Sequence, residues 1–177
     1  MLLGSYHYRA KPLRRVFIEK KGKNKKRPLG IPTMYDRTMQ TLYALALEPI
    51  AETTGDNISF GFRRGRSAKD ACEQIFCVLA RKCSPTWVLE GDIKGCFDNI
   101  NHNWLLENIP TDKRIMNQFL KSGFVYKGKL FPTDTGSPQG GAISSLYANM
   151  TLDGLEKLIQ DKYHRNSKGN IENHYRA

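Results

Sequence analysis

An acidic side chain that could hold a divalent cation follows an apolar run near the middle of the chain. Residues 87–99, WVLEGDIKGCFDN, carry Asp92 directly after that run. With a period of two, Val88, Glu90 and Asp92 share one face, so we expect Asp92 at the end of a strand. A carboxylate there can hold Mg²⁺ together with the phosphates of a substrate. An acidic residue closing a solvent-exposed strand fits the same pattern, so this stretch alone leaves both interpretations open.

Basic residues are concentrated in the first part of the chain. The sequence has 28 Lys and Arg against 17 Asp and Glu, a formal net charge of +11. Residues 9–27 hold ten Lys or Arg and one acid, so this basic arm carries +9 and the remaining residues +2. Arg63, Arg64, Arg66 and Lys69 add further positive charge. A solvated tail is the ordinary interpretation, but this clustering favours a polyanionic partner, and charge alone fits RNA, DNA or an anionic membrane.

The composition is that of a folded domain. In 177 residues, 40% are apolar and 10% aromatic. No apolar run reaches membrane-spanning length and no signal peptide pattern opens the chain, so we expect a cytoplasmic protein without a membrane partner. The spacing of Cys72, Cys77, Cys83 and Cys96 does not match a zinc site, and we expect reduced thiols, mostly in the core.

The elements that position these residues are predicted from periodicity and turn residues. We expect a hairpin with strands at 14–19 and 27–31 around the charged tip 20–26. Asp36 is expected to cap a helix whose Met39, Leu42, Tyr43, Ala46 and Ile50 face the core, with Pro49 bending or ending it. Ser67 and Asp70 form a predicted capping box for a helix that turns Cys72, Ile75, Phe76 and Leu79 inward.

The second half of the chain should contain shorter elements and one long helix. Asn101 or Asn103 is expected to begin a short helix, and Thr111 a second one that Gly123 ends. A hairpin is predicted around Lys127-Gly128. A Gly/Pro-rich loop at 136–141 should then lead into the longest helix, with an apolar stripe from Ala142 to Ile159. Helices grouped rather than alternating with strands predict an α+β fold.

Four segments in this order resemble the reverse transcriptases of group II introns, the maturase family. They are RPLGIP at 27–32, GFRRGRSAKDA at 61–71, the Asp92 segment, and GSPQGGAISSLYANM at 136–150. The resemblance runs from about Arg14 to Leu158. It implies a right-hand polymerase, with fingers at 1–67, including the basic arm, and at 101–142. The first part of the palm would be 68–100, and a palm helix with a truncated end 143–177.

The resemblance also implies roles for individual residues. Asp92 would be the catalytic metal ligand, beside the carbonyl of Ile93, for one of two Mg²⁺ ions. The incoming nucleotide would contact four residues: Lys20, Arg27, Phe97, which would exclude a 2′-hydroxyl, and Gln139. RNA would be bound by Lys23, Lys25, Lys26, Arg63, Arg64 and Arg66. Asp98 would orient its turn, and His102 would only neighbour a helix start.

The implied activity is RNA-directed DNA polymerisation together with binding of group II intron RNA. Its partners would be that RNA, an RNA template with a DNA primer, and deoxynucleoside triphosphates, in a bacterial cytoplasm. The family's Tyr-Ala-Asp-Asp hairpin, thumb and maturase domain have no counterpart in the sequence, so we expect a truncated fragment that is inactive alone. A homodimer would cover the apolar face of the last helix.

Two other functions fit part of the pattern. An RNA-binding splicing factor could keep a polymerase fold without catalysis, but such a protein has no need for Asp92, Phe97 and Gln139 together. Another bacterial reverse transcriptase, of the retron type or from a diversity-generating element, would share those residues. The run SPQGGAISSLYAN is closer to the intron type.

Overall fold

The described residues form one four-stranded sheet and seven helices. The structure is a computed structural model that describes residues 7–19, 22, 26–82, 84 and 86–163. Strands β1 (Leu13–Glu19), β2 (Lys26–Ile31), β3 (Phe124–Tyr126) and β4 (Lys129–Phe131) lie in the order β2-β1-β3-β4. Mixed helices and strands of this kind agree with the expected α+β class.

Both predicted hairpins are confirmed. β1 and β2 pair antiparallel, with Arg14 opposite Ile31 and Glu19 opposite Lys26. The tip between them, including Lys20, Lys23 and Lys25, lies outside the described residues. β3 and β4 pair antiparallel around Lys127 and Gly128, whose φ angles are 48° and 76°. Two consecutive positive φ angles are typical of the type I′ turn that matches the twist of a tight hairpin.

A cluster of helices forms most of the hydrophobic core. It uses α1 (Met34–Thr54), α4 (His102–Asn108), α5 (Lys113–Leu120) and α6 (Ser144–Leu152). Helices α2 (Ala68–Leu79) and α3 (Cys96–Asn99) lie between α1 and α4 in the sequence. The most deeply buried side chains come from these helices or their starts: Leu105, Ile115, Met116, Leu120, Ile143 and Tyr147. Burial of such apolar surface is the main stabilising contribution to the fold.

Helix α1 is longer than expected and begins earlier. Its N-cap is Thr33, whose side chain accepts a hydrogen bond from the backbone N–H of Asp36, so the prediction of Asp36 as the cap is wrong by three residues. Asp36 is instead buried and accepts a hydrogen bond from the hydroxyl of Tyr8 at 2.7 Å. Burial, with the Asp36 carboxylate beside it, raises the pKa of Tyr8. The helix continues through Pro49 to Thr54, so the proline does not end it.

Three predictions about buried faces are wrong in the described chain. Leu42, Ala46 and Ile50 of α1 are exposed, and Met39, Leu47 and Ala51 carry its buried face. The capping box of Ser67 and Asp70 in α2 is confirmed, yet α2 has no buried residue. Its Ile75 and Phe76 are 57% and 71% exposed, and Cys72 and Cys77 are exposed free thiols. Helical periodicity identifies an apolar stripe but does not supply the surface that covers it.

The expected strand before Asp92 does not form. Residues 87–93 have no strand assignment, and Trp87 and Leu89 are 91% and 96% exposed. A strand requires a hydrogen-bonded neighbour, and in the described residues β1–β4 pair only with one another. Asp92 therefore lies on a segment without regular secondary structure rather than at a strand end.

The predicted long helix after Gly141 is two helices. α6 ends at Leu152, and α7 (Leu155–Lys162) begins after Gly154, whose φ of 93° interrupts the helical path. The carboxylate of Asp56 accepts hydrogen bonds from the backbone N–H groups of Gly154 and Glu156, both at 3.1 Å, and so holds this corner. Thr111 is not a cap either; the side chain of Asp112 caps α5.

An ion pair fixes the loop between α1 and α2. The guanidinium of Arg63 is buried, and it donates to both carboxylate oxygens of Glu52 at 2.9 and 2.8 Å and to the carbonyl of Asp56 at 2.6 Å. These hydrogen bonds hold the pKa of Glu52 below its ordinary value of 4.5. Arg64 is more loosely paired with Glu48, at 3.4 Å, and exposed.

Replacing the carboxylate of this pair should destabilise the fold. We expect Glu52→Gln to lower the free energy of unfolding by about 1–2 kcal/mol, because the buried charge of Arg63 loses its partner. The loss is no larger because Glu52 is half-exposed and solvent screens the pair. Urea unfolding followed by circular dichroism measures the change. Glu48→Gln, at the exposed pair, is the matched control and should cost less than about 1 kcal/mol.

The same pair predicts a pH dependence. The pKa of Glu52 is lower in the folded state than in the unfolded state, so the pair contributes its full stability above pH 4.5, the ordinary pKa of Glu52. This contribution is lost as the pH falls through the pKa of the folded state. The difference between the wild type and Glu52→Gln should therefore shrink in acid. A difference that grows below pH 4.5 would contradict this assignment.

Candidate active site

A cleft of about 680 Å³ collects most of the residues predicted to do chemistry. Its volume is in the range of small-molecule sites. One wall is β2, the second is the segment from Asp92 to Asp98, and the third is the loop from Gln139 to Gly141 with the start of α6. These three segments are far apart in sequence, and the fold brings them together.

The β2 wall is basic. Lys26 and Arg27 lie at the exposed beginning of the strand, opposite Glu19 and Ile18 of β1. Both residues line the cleft. The sequence predicts Arg27 for nucleotide binding and Lys26 for RNA binding, and the structure places both at this cleft. Each carries a positive charge that can bind phosphate oxygens.

The second wall begins at Asp92 and ends in a tight turn. Asp92 and Ile93 line the cleft, followed by Gly95, whose φ of 63° reverses the chain into the short helix α3. The side-chain amide of Asn99 donates to the carbonyl of Gly95 at 2.9 Å and steadies this turn. Phe97 is thereby presented to the cleft.

The ring of Phe97 is held by a second aromatic residue that the sequence did not single out. Phe62 meets it edge-to-face, with ring centroids 6.2 Å apart. Phe62 lines the same cleft, is 73% exposed and has a φ of 57°. A positive φ is costly for a bulky residue, and such strain concentrates at functional sites.

The third wall is fixed to the first two by backbone hydrogen bonds. The N–H of Gly30 in β2 donates to the carbonyl of Gln139 at 2.8 Å. The N–H of Ser137 donates to the carbonyl of Phe97 at 2.7 Å, and the N–H of Gly136 to that of Ile100 at 2.8 Å. Gln139 is therefore held between the basic strand and the Phe97 turn.

Gly136 is required where the loop crosses the Phe97 turn. Its φ is 82°, and a Cβ atom there would lie 2.6 Å from the carbonyl oxygen of Phe97. The buried ring of His102 adds a hydrogen bond from Nε2 to the carbonyl of Gly136 at 2.7 Å. His102 thus supports the loop, in addition to lying beside a helix start as predicted.

A buried glutamine supports the other end of the loop. Gln40 of α1 accepts a hydrogen bond from the backbone N–H of Ala142 at 2.9 Å through its side-chain oxygen. The hydroxyl of Ser144 donates to the carbonyl of Pro138 at 2.8 Å. Gln40 looks like an ordinary polar residue on a helix, and no signal in the sequence identifies this role.

The remaining predicted residues lie elsewhere or outside the described chain. The guanidinium of Arg63, predicted to bind RNA, is buried and faces Glu52 instead of solvent. Arg66 donates to the carbonyls of Asn57 and Ser59 at 2.6 and 2.7 Å, and Arg64 is exposed. Lys20, Lys23 and Lys25 lie outside the described residues.

Both residues predicted to hold a divalent cation, Asp92 and Ile93, line the cleft. A carboxylate and a backbone carbonyl are oxygen donors of the type that Mg²⁺ binds together with waters and phosphates. Across the described ranges, no three His, Cys, Asp or Glu side chains are grouped as a metal site.

The sequence is similar to known proteins over most of its length. Residues 18–175 match the family described as reverse transcriptase (RNA-dependent DNA polymerase). The chain is 39% identical over 178 residues to the group II intron-encoded protein LtrA of Lactococcus lactis subsp. cremoris, covering 96% of this chain and 29% of that protein. It is 36% identical over 168 residues to protein YkfC of Escherichia coli K12, covering 90% of this chain and 44% of YkfC.

A eukaryotic relative extends the comparison. An uncharacterised 91 kDa protein in a cob intron of Schizosaccharomyces pombe is 34% identical over 165 residues, covering 90% of this chain and 20% of that protein. The chain therefore spans less than half the length of each of these relatives. In the part of the chain that the structure describes, no helix is both long and apolar enough to cross a membrane.

The close approach at Gly136 should make this position intolerant of a side chain. We expect Gly136→Ala to lower the free energy of unfolding by about 2–5 kcal/mol, from the left-handed backbone and the overlap with Phe97 together. Gly128→Ala is the matched control: its φ is 76° and nothing lies within 4 Å of the added Cβ. It should cost only about 1–2 kcal/mol. Equal losses of stability in urea unfolding would show that the approach to the Phe97 turn is unimportant.

Proposed function

This chain belongs to the reverse transcriptase (RNA-dependent DNA polymerase) family, and we propose that its cleft binds an incoming deoxynucleoside triphosphate for RNA-directed DNA synthesis. The resemblance to group II intron reverse transcriptases predicted from the motifs is confirmed by the family match and by the intron-encoded relatives. The observation that carries the proposal is that Arg27, Asp92, Phe97 and Gln139 line one cleft.

Each wall of the cleft suits one part of a nucleotide. The positive charges of Lys26 and Arg27 face the triphosphate, and Arg27 can hold two oxygens at once. Asp92 lies across the cleft from them, where a cation can bridge its carboxylate and the phosphates. Phe97 lies under the sugar, where its ring leaves no room for a 2′-hydroxyl. Gln139, on a loop anchored to β2, approaches the nucleotide from the third side.

Proteins of this family generally use divalent cations, and in this chain Asp92 and the carbonyl of Ile93 would hold one. Bound there, the cation would neutralise charge that develops on the phosphates. Nucleotide addition uses two such ions, and the described residues contain no group of three or more His, Cys, Asp or Glu side chains that could hold a metal. We therefore propose that this chain binds substrates and that the addition step needs further carboxylates.

The RNA partner follows from the charge and from the relatives. The basic arm carries +9. The named relatives include a group II intron-encoded protein, so group II intron RNA and an RNA template with a DNA primer are the proposed partners. Residues 1–67 and 101–142 would be fingers, and 68–100 and 143–177 parts of the palm.

Removing the Asp92 carboxylate tests the cation site. We expect Asp92→Asn to weaken dNTP binding in the presence of Mg²⁺ about tenfold, about 1.4 kcal/mol, and to leave binding without Mg²⁺ unchanged. Isothermal titration with and without Mg²⁺ measures both values. Glu90→Gln is the matched control, since Glu90 is an exposed acid on the same segment that does not line the cleft. A Mg²⁺ effect that survives in Asp92→Asn would remove Asp92 from the site.

Shortening Phe97 tests the sugar contact. Phe97→Ala should raise the affinity for ribonucleoside triphosphates relative to deoxyribonucleoside triphosphates, by up to ~10²-fold, because the space for a 2′-hydroxyl opens. The two affinities are measured in parallel with the same base. Phe17→Ala, at an exposed phenylalanine of β1 that does not line the cleft, should keep the ratio of the wild type. An unchanged ratio in Phe97→Ala would exclude Phe97 as the sugar discriminator.

The salt dependence of RNA binding tests the basic arm. Replacing Lys23, Lys25 and Lys26 with Ala should reduce the slope of log affinity against log salt by about 2 on single-stranded RNA, since each phosphate that a lysine no longer neutralises lowers the slope by about 0.7. Filter binding over a range of salt concentrations gives the slope. The control is the triple replacement of Lys113, Lys121 and Lys157 with Ala, which lowers the net charge by the same amount at positions outside the arm. If both triple variants flatten the slope equally, the arm is not a specific surface.

A further inference from the structure

Phe62 is a bulky apolar residue that the fold holds in a costly backbone conformation. Its φ is 57°, in the left-handed region that a residue with a large side chain rarely adopts. The side chain is 73% exposed, so burial of apolar surface does not explain this conformation. Such strain persists only where the surrounding structure imposes it. The contacts on either side of Phe62 show how it is imposed.

Both chain neighbours of Phe62 are anchored to helices. The carbonyl of Gly61 accepts a hydrogen bond from the side-chain amide of Asn149 in α6 at 2.8 Å. On the other side, the buried guanidinium of Arg63 donates to both carboxylate oxygens of Glu52 in α1. The backbone of Phe62 is thereby constrained from two directions, and the residue lines the nucleotide cleft.

The ring of Phe62 meets the ring of Phe97 inside that cleft. The ring centroids are 6.2 Å apart and the ring planes are 86° apart. This is the edge-to-face arrangement that aromatic pairs prefer. Phe62 is not part of the hydrophobic core, whereas Phe97 packs against the core from its edge. The Phe62 side chain therefore contacts the ring proposed to lie under the sugar, at the side where that ring faces the cleft.

The element that carries Phe97 does not fix the Phe97 ring by itself. α3 has four residues, none of them buried, and its N-cap Gly95 makes no side-chain capping hydrogen bond. The hydrogen bond from the N–H of Ser137 holds the backbone of Phe97 and leaves rotation about χ1. A phenylalanine beside an open cleft can occupy more than one staggered rotamer. Only a ring that stays under the sugar excludes a 2′-hydroxyl, so a neighbour that holds the ring affects the choice of sugar.

We propose that Phe62 is a positioning residue for Phe97 and thereby determines how strongly the cleft prefers deoxyribonucleotides to ribonucleotides. The inference rests on the sugar contact proposed for Phe97 and adds a second residue to it. Phe62 acts through the Phe97 ring and not through a contact with the nucleotide. Asn149 contributes from outside the cleft, because its amide holds the carbonyl of Gly61.

Removing the Phe62 ring should weaken the discrimination between sugars. We expect Phe62→Ala to shift the ratio of ribonucleotide to deoxyribonucleotide affinity toward the ribonucleotide by about 2- to 10-fold, the change that loss of one edge-to-face contact allows. Isothermal titration in Mg²⁺ with the two triphosphates of one base gives the ratio. Phe62→Tyr keeps the ring and should keep the ratio of the wild type. Phe62→Leu keeps an apolar side chain without the ring and should behave as Phe62→Ala.

Two variants outside the cleft complete the set. Phe60→Ala is the matched control: Phe60 lies in the same loop, below the guanidinium of Arg66, and does not line the cleft, so the ratio should not change. Asn149→Ala removes the anchor of Gly61 and should shift the ratio in the same direction as Phe62→Ala. An unchanged ratio in Asn149→Ala overturns the role of the anchor. If Phe62→Ala does not fold, the comparison of Phe62→Leu with Phe62→Tyr decides.

A double variant separates positioning from direct contact. In a Phe97→Ala background, Phe62→Ala should leave the ratio unchanged, because no ring remains to be held. A residue that touches the nucleotide would change its binding in both backgrounds. An equal shift of the ratio in both backgrounds overturns the proposal and assigns Phe62 a direct contact. Equal weakening of both nucleotides by Phe62→Ala overturns it as well.

A measurement without nucleotide separates this inference from the proposed function. With Phe97 replaced by 4-fluorophenylalanine in the full chain, ¹⁹F NMR reports the surroundings of that ring. We expect one sharp resonance with or without Phe60→Ala, and a broadened or second resonance with Phe62→Ala, because the ring then samples several rotamers. Identical spectra overturn the positioning role. If Phe97→Ala leaves the sugar ratio unchanged, the proposed sugar contact fails, and the spectra still decide whether Phe62 holds the ring.

Discussion

The backbone contact between the loop at Gly136 and the turn at Phe97 is the constraint on which the cleft depends. Two hydrogen bonds, from Ser137 to Phe97 at 2.7 Å and from Gly136 to Ile100 at 2.8 Å, join segments that are far apart in the sequence. They close only because Gly136 has no Cβ and adopts a positive φ. With His102 behind it, this contact fixes the distance between Phe97 and Gln139, and so the width of the site.

The charges around this frame are divided between the walls. β2 supplies the cations Lys26 and Arg27, and the segment before and within α3 supplies the acids Asp92 and Asp98. A triphosphate with its cation satisfies both signs at once. In a smaller cavity that adjoins the cleft, Arg15 lines the wall together with Asp98 and Asp134.

The wrong predictions of burial have one physical cause. The apolar stripe of α2 and the run from Trp87 to Leu89 have the periodicity of buried elements, yet both are exposed in the described chain. Periodicity reports that an element has an apolar face, but burial depends on a second surface far away in sequence. The break at Gly154 escapes prediction for a related reason, since the Asp56 carboxylate that stabilises it comes from another part of the chain.

The sequence by itself determined the features that depend on neighbouring residues: both hairpins, the type I′ turn at Lys127-Gly128, the capping box of Ser67, and the motifs that identify the family. Only the tertiary structure decided which side chains meet. It turned Arg63 inward to Glu52 and placed Gln40 and His102 behind the Gln139 loop. Local propensities act within a few residues, whereas these contacts form between residues brought together by packing, and no local pattern encodes them.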